Sequence, residues 1–407
     1  MTPAVEIEGY AEVRAAVQLG VEGEAWTLAE RVRPRFSVPV GERVTVEAVV
    51  EGALTQGRDA TAEAAALIQA SEVGALLEAA GCTYTPAPRY DEASDYLSVE
   101  RLHVDLNLEA VDLTLGRQAL NWGSGLVFHP TDLYAEVVAT EPWRERRGVN
   151  AVKANIPLGD HQIIAVAAID DDLSPLFEER SADLGVSAAL KATFRVGGTA
   201  ISPVGHVQSD GDVFAGADLR GNAVVGWWVE GGWRVEGDAP KDGAAEIVAG
   251  IDYSFDVLEL LYVAAEYRYD GSGSAPEDYD YAARSAGGVT NPFDCAFLPA
   301  PEATEPRATL GIHYADASVR LGLTEDISVS GVVIVNLLDG TGYAVPTASA
   351  LVGSHATVNL GAQIPFGEDG EFRPSADDLT FTAGTLSADL SGLVPDATLL
   401  GWVRYNF

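Results

Sequence analysis

The sequence has no long hydrophobic run. Its longest apolar stretches, such as IIAVAAI and GVVIVNLL, are strand-sized. A membrane-spanning helix needs about 18 or more apolar residues, so helical passage through a bilayer is excluded. Basic residues are scarce: 25 Lys and Arg stand against 61 Asp and Glu, for a formal net charge of −36. A nucleic-acid partner is excluded on that ground, since phosphate binding needs a basic footprint. The six histidines are scattered without a metal-ligand spacing such as HExxH, and there is no G-x-S-x-G elbow or Walker A loop. With His129 and Asp132 in HPTD the nearest thing to a catalytic pair, the chain is not expected to be an enzyme. Cysteine occurs only at Cys82 and Cys295, which are either two free thiols or one disulfide. The start, MTPAVEIEGYAEV, lacks the basic and apolar regions of a secretory leader. That suits a cytoplasmic protein or a mature chain whose leader was removed.

What is abundant is alternation. The chain holds 42 glycines and 20 prolines, which suit strands and turns better than a helical bundle, and its mean hydropathy is +0.08. EIEGYAEVRAAVQL puts Ile7, Ala11, Val13, Ala15 and Val17 on one face and Glu6, Glu8, Glu12 and Arg14 on the other. WTLAERVRPRFSV sets Trp26, Leu28, Val32 and Phe36 against Arg31, Arg33 and Arg35. The same two-faced pattern, the signature of half-buried strands, recurs almost to the last residue. Short turns such as LGD and VGG alternate with long segments at about 54–95, 119–146, 171–183, 270–304 and 366–395. Two-faced strands joined alternately by tight turns and long loops predict an all-β fold: a transmembrane antiparallel up-and-down β-barrel of about 18 strands (16–20), a single unit over 1–407. Several soluble sandwiches would need linkers, and a propeller a repeat of 40–50 residues; neither is visible. Pro34 removes a ladder hydrogen bond, so a bulge is expected in the second strand.

The last residues, DATLLGWVRYNF, place Leu399, Val403, Tyr405 and Phe407 on one face. This ending resembles the C-terminal signature strand of Gram-negative outer-membrane proteins. The resemblance implies a bacterial outer-membrane location, recognition of Tyr405 and Phe407 by the barrel-assembly machinery, and closure of the last strand on the first. A second resemblance is local. LGRQALNWGSGLVFHPTDLYAE followed by RRGVNAVKANIPLG is similar to the GRQ…WG…P-x-D segment of porin-like families, including alginate-export-like channels, and GEDGEF at 367–372 is similar to a late loop of that group.

In a barrel the polar faces line the lumen, where charge sets selectivity. The expected pore-lining residues are Glu6, Glu8, Glu12, Arg14, Arg31, Arg33, Arg35, Arg101, Asp105, Lys153, Lys191 and Arg195, with Glu47 on the acidic side. Charges on opposite walls would either brace the barrel or set up a transverse field. Segment 119–146 is the candidate constriction loop, with Trp122, Asp132, Arg144, Arg146 and Arg147. Arg117 shares the parity of Leu113 and Leu115, so it meets lipid phosphates unless a bulge at Gly116 turns it inward. Trp26, Trp227, Trp233, Tyr253, Tyr267 and Tyr269 share the apolar parity and suit interfacial aromatic girdles.

Loop 54–95 is alanine-rich, with Asp59 and Ser71 as N-caps and Gly81 as a stop, and reads as a helical lid or plug on the outer side. Cys82 follows it, and a disulfide to Cys295 would tie lid to rim. No resident cofactor is implied, although the acidic segments 170–183 and PEDYDYAARS suit a loop-bound divalent cation. The pattern points to a porin-like channel for small solutes, in contact with outer-membrane lipid and lipopolysaccharide. The alternative is a barrel that scaffolds or sheathes a partner protein or export complex.

Overall fold

In a computed structural model of the chain, the described residues are 5–21, 25–58, 83–84, 96–134, 148–170, 185–237, 243–279, 293–294, 309–375, 380–383, 386–389 and 395–407. They form one closed antiparallel barrel of 18 strands. The strands are β1 (Glu6–Leu19), β2 (Ala25–Pro39), β3 (Val44–Arg58), β4 (Tyr96–Asn107), β5 (Asp112–Gln118), β6 (Val149–Leu158), β7 (His161–Asp170), β8 (Gly185–Val196) and β9 (Thr199–Gln208). The circuit continues through β10 (Val213–Asn222), β11 (Gly226–Val235), β12 (Ala244–Phe255), β13 (Leu260–Asp270), β14 (His313–Gly322), β15 (Ile327–Asn336), β16 (Gly342–Val352), β17 (Ala356–Phe366) and β18 (Ala397–Asn406). Each strand pairs with its sequence neighbour. The ring closes where β18 pairs β1, from Leu19↔Ala397 to Tyr10↔Asn406. Beyond that ladder Gly9 and Phe407 exchange reciprocal backbone hydrogen bonds of 3.0 Å, so the seam runs to the final residue. Closure leaves no edge strand with unpaired backbone groups.

Local chemistry explains the elements. Odd-numbered strands lead into the longer connections and even-numbered strands into tight turns. Gly197, at the β8–β9 hairpin, takes a φ of +60, the left-handed region that primed two-residue turns need. Period-2 alternation then sorts the wall. Outward positions carry exposed Val13, Leu102, Val152, Leu190, Ile251 and Leu360, forming a continuous apolar belt that water would not tolerate and hydrocarbon does. At the loop end Trp26, Trp233, Tyr267 and Tyr269 face outward; at the turn end Phe194, Trp227, Tyr253, Phe255 and Tyr405 do so. These are two aromatic girdles.

Two expectations change. Pro34 sits opposite Gly9 with no bulge: the β1–β2 register is unbroken, and the β2–β3 ladder skips Arg33 and Pro34 and resumes in the same register at Arg35↔Val49. A missing N–H can be absorbed by leaving two residues unpaired, without inserting one. The bulge lies one hairpin further on, where the β3–β4 register shifts between Val49 and Val50 and lets both Glu100 and Arg101 face inward. Residues 54–58 of the expected helical lid continue β3 instead. The rest of that segment lies outside the described residues, except for Thr83–Tyr84, which pairs with Phe293–Asp294. The helix among the described residues is one 3-10 turn at Pro276–Asp278.

Candidate functional site

The lumen is narrowed by two inserted segments, the first held by carboxylates of the barrel wall and the second by its own Glu371 together with Asp339 of a neighbouring turn. Residues 119–134 leave the end of β5 and fold inward. Glu230 of β11 and Glu266 of β13 project inward beneath them and accept their backbone N–H groups. Glu230 takes the N–H of Ser124 (2.7 Å), Gly125 (2.9 Å) and Thr131 (2.8 Å), plus the Thr131 hydroxyl (2.9 Å). Glu266 takes Leu126 N–H (2.7 Å), Val127 N–H (3.3 Å), Phe128 N–H (3.2 Å) and the Trp228 indole N–H (2.7 Å). A loop taken out of water must satisfy its own amides, and ionised acceptors do that most strongly. Trp228 can lie flat here because Gly250 leaves room: a Cβ on Gly250 would stand 2.2 Å from the indole ring.

The second insertion is 367–375, with Glu371 and Phe372 buried. Glu371 accepts the N–H of Leu310 (2.8 Å) and Gly311 (3.3 Å), the Tyr314 hydroxyl (2.5 Å) and the Asn336 amide (2.7 Å). Asp339 fastens the same turn, accepting Glu371 N–H at 2.9 Å and the Tyr279 hydroxyl at 3.0 Å. Burial beside that carboxylate raises the Tyr279 phenol above its ordinary range, so it stays a donor. The two insertions meet on Tyr314, whose ring lies 5.7 Å from Phe128 and 6.3 Å from Phe372, with the Arg268 guanidinium 4.5 Å over Phe128. Leu120 and Trp122 sit in a second apolar cluster with Val166, Ala189, Val204 and Phe214. The lumen is thereby given a packed interior over part of its wall.

The opposite wall carries no insertion among the described residues. Arg31, Arg33 and Arg35 run down β2, and carboxylates answer them: Arg33–Glu51 at 2.6 Å, Arg31–Glu51 at 3.4 Å and Arg35–Glu47 at 2.6 Å. Glu12 joins Arg14 (2.8 Å) and Arg404 (2.7 Å) across the seam. Glu6 and Glu8 are exposed at the turn end, beside Arg35 and Arg101 around a cavity of about 640 Å³.

Of the other predicted lining residues, Lys191 bonds Asp218 at 3.2 Å, Asp105 accepts the Thr114 hydroxyl at 2.7 Å, and Lys153 is half-buried on the inward parity. Arg195 is exposed at the turn end of β8. In register it flanks Ala200, and Arg220 flanks the same residue on the other side. Neither guanidinium has an ion-pair partner among the described residues. Both border a cavity of about 570 Å³ under Ser124–Leu126, with Tyr262 and Trp228 on its far side. Sequence parity marked Arg195; Arg220, Glu230 and Glu266 were missed although each lies on the polar parity of its strand, and Glu371, in the second insertion, has no strand parity to mark it.

Trp122 and Asp132 are buried in the inserted loop, while Arg144, Arg146 and Arg147 lie outside the described residues. Arg117 is buried, next to Gly116 at φ +120, with the register through it unbroken. Cys82 and Cys295 also lie outside the described residues, as does most of the acidic sequence offered for a cation. Among the described residues no group of three or more His, Cys, Asp or Glu is placed to hold a metal.

No family model matches the chain, and neither does any curated protein. The fold is similar to that of solved structures, among them three from Pseudomonas aeruginosa. OpdQ superposes with a TM-score of 0.57 at 8% identity, covering 99% of this chain and 98% of its own. The outer membrane protein OprD gives 0.56 at 9%, covering 99% and 93%. OpdK, solved with vanillate, gives 0.55 at 10%, covering 99% and 98%. At such identity the likeness is one of fold.

Proposed function

We propose that this chain is a substrate-selective channel of the Gram-negative outer membrane, conducting small solutes past a pinned constriction. The apolar belt between two aromatic girdles supports the location, with long loops outward and tight turns toward the periplasm. One observation carries the function: a closed 18-strand barrel whose inserted loop is held at fixed depth by Glu230 and Glu266, leaving an aqueous cavity on its turn side. A narrowed, charged lumen is what solute selection requires.

The solutes best matched to that cavity are small organic anions. The net charge of −36 argues the other way only if the acids face the path. Around the inserted loop most do not: Glu230, Glu266 and Glu371 are buried and accept hydrogen bonds, and Glu51 is spent on arginines. Asp252, the one carboxylate lining the same cavity among the described residues, accepts the Tyr262 hydroxyl, while Glu6 and Glu8 are exposed at the turn end. Arg195 and Arg220 remain uncompensated over Ala200, so they dominate the local field. OpdK was solved with an aromatic carboxylate, which is a solute of this class.

The test is single-channel conductance of the refolded protein in a planar bilayer, with reversal potential under a salt gradient. Discrete steps with anion preference, weakened in Arg195→Ser/Arg220→Ser, are expected. A folded, heat-modifiable barrel without conductance would overturn the channel reading and favour a scaffold for a partner protein. Cation preference in the wild type would overturn the anion reading alone.

The assembly signal and the clasp belong to the same proposal. Tyr405 and Phe407 face outward on the closing strand and suit recognition by the assembly machinery. The Thr83–Tyr84/Phe293–Asp294 ladder pairs Thr83 with Asp294, the sequence neighbours of Cys82 and Cys295. That proximity of their neighbours is the support for proposing one disulfide between the two cysteines. A gel shift on reduction, absent in Cys82→Ser, is the expected result.

A further inference from the structure

The belt contains one misfit. Along the outward face between the girdles, Glu30 is the only exposed charged side chain among the described residues. It lies on the apolar parity of β2, paired with exposed Val13 on β1 and exposed Leu54 on β3. Trp26 is four residues away toward the loop end and Phe36 six toward the turn end. At about 3.3 Å per residue and a tilt near 40°, those ten residues span roughly 25 Å of membrane depth, and Glu30 lies roughly 10 Å inside the loop-end girdle. It has neither a hydrogen bond nor an ion pair among the described residues. Ionisable groups facing hydrocarbon are costly and are found where something covers them.

A second polar group lies diagonally beside it. Gln56 of β3 is exposed on the same outward face, opposite Leu28, two residues beyond Leu54. Gln56 also lacks a partner among the described residues. Glu30 offers acceptors and Gln56 offers amide donors. Val13 and Leu54 flank Glu30 directly, and small residues stand diagonally beside it: Ala11 and Ala15 on β1 and Gly52 on β3. Small residues let two membrane-embedded surfaces approach closely enough for interprotein hydrogen bonds.

We propose that the outer face of β1–β3 is the contact surface of a two-fold homodimer, in which Glu30 of each copy accepts a hydrogen bond from the Gln56 amide of the other. A patch holding both acceptor and donor is self-complementary, which an isologous interface requires. Elsewhere the belt between the girdles is apolar among the described residues, so a head-to-tail ring would leave Glu30 without a donor at that depth. The inference rests on the belt lying in a bilayer and is independent of what passes through the lumen.

The experiment is sedimentation of the full-length barrel in detergent micelles across a range of protein-to-detergent ratios. It compares wild type, Glu30→Gln, Glu30→Leu, Gln56→Leu and the double Leu variant. Conductance and heat-modifiable mobility serve as controls for the fold. Wild type and Glu30→Gln should dimerise. Each single Leu variant should raise the monomer–dimer midpoint about tenfold, and the double should go little further, because both remove one coupled pair. A wild type that is monomeric throughout, or trimeric, overturns the proposal. So does a Glu30→Leu variant that dimerises like wild type. Unchanged conductance in all variants is expected, so failure here would leave the channel reading intact.

Discussion

The two walls of this barrel use the same residue type at the same parity for different ends. On the β1–β3 wall, inward glutamates meet guanidinium groups: Glu51 takes Arg33 and Arg31, and Glu12 takes Arg14 and Arg404. On the β11–β15 wall, inward glutamates meet backbone amides of chain that has left the wall: Glu230 and Glu266 hold residues 124–131, while Glu371 docks the second insertion on Tyr314 and Asn336. Both arrangements satisfy buried carboxylates. Only the second makes the position of a loop depend on them. A carboxylate that pairs with a cation braces the tube, and one that accepts amides sets its bore.

That contrast can be broken most directly at Glu266 and Glu230. Replacing both with Leu should strand eight donors and release residues 124–131. Each donor left buried and unsatisfied costs about 1–3 kcal/mol, so the loop should leave its seat rather than stay there unpaired. Single-channel recordings should show a several-fold larger and noisier conductance, with the barrel still heat-modifiable. An unchanged conductance would mean that the loop is seated by packing alone. Glu371→Gln should come next. It leaves an amide oxygen as acceptor and forfeits the charge assistance, a loss of about 1–3 kcal/mol, with a smaller rise in conductance.

Glu51→Gln sharpens the comparison from the other side. It uncovers Arg33 and Arg31 without touching an inserted loop, so reversal potential should move toward anions while the conductance step stays near wild type. An enlarged step in this variant would erase the distinction between the walls. Arg35→Lys should have the smallest effect. Its side chain is 48% exposed, and half-exposed pairs contribute about 0–1 kcal/mol, so the thermal midpoint of the barrel should hardly move.

The Trp228–Gly250 contact shows why so much of this site was hidden. Trp228 pairs Gly250 across one ladder, and the ring reaches Glu266 only because nothing stands on Gly250. No periodicity signals that. Alternation marked Arg31, Arg33, Glu12 and Lys191 as inward-facing, and the long segment after β5 as a loop that enters the lumen. The same alternation applies to Glu230 and Glu266, since each is flanked by apolar outward neighbours. Their partners in the inserted loop, however, lie 99 to 140 residues away in sequence. Pro34 illustrates the limit from the other direction: its missing N–H was legible, whereas the local gap that absorbs it depends on the neighbouring strand.

The sequence by itself determined the class of the fold, the parity of each strand and the alternation of turns with loops. These follow from a two-residue period and from turn chemistry, both of which act between neighbours along the chain. Tertiary structure alone decided which carboxylates bind cations and which hold a loop, and which arginines are left uncompensated in the lumen. Those outcomes depend on the register and closure of 18 strands, which bring together groups that no local pattern relates.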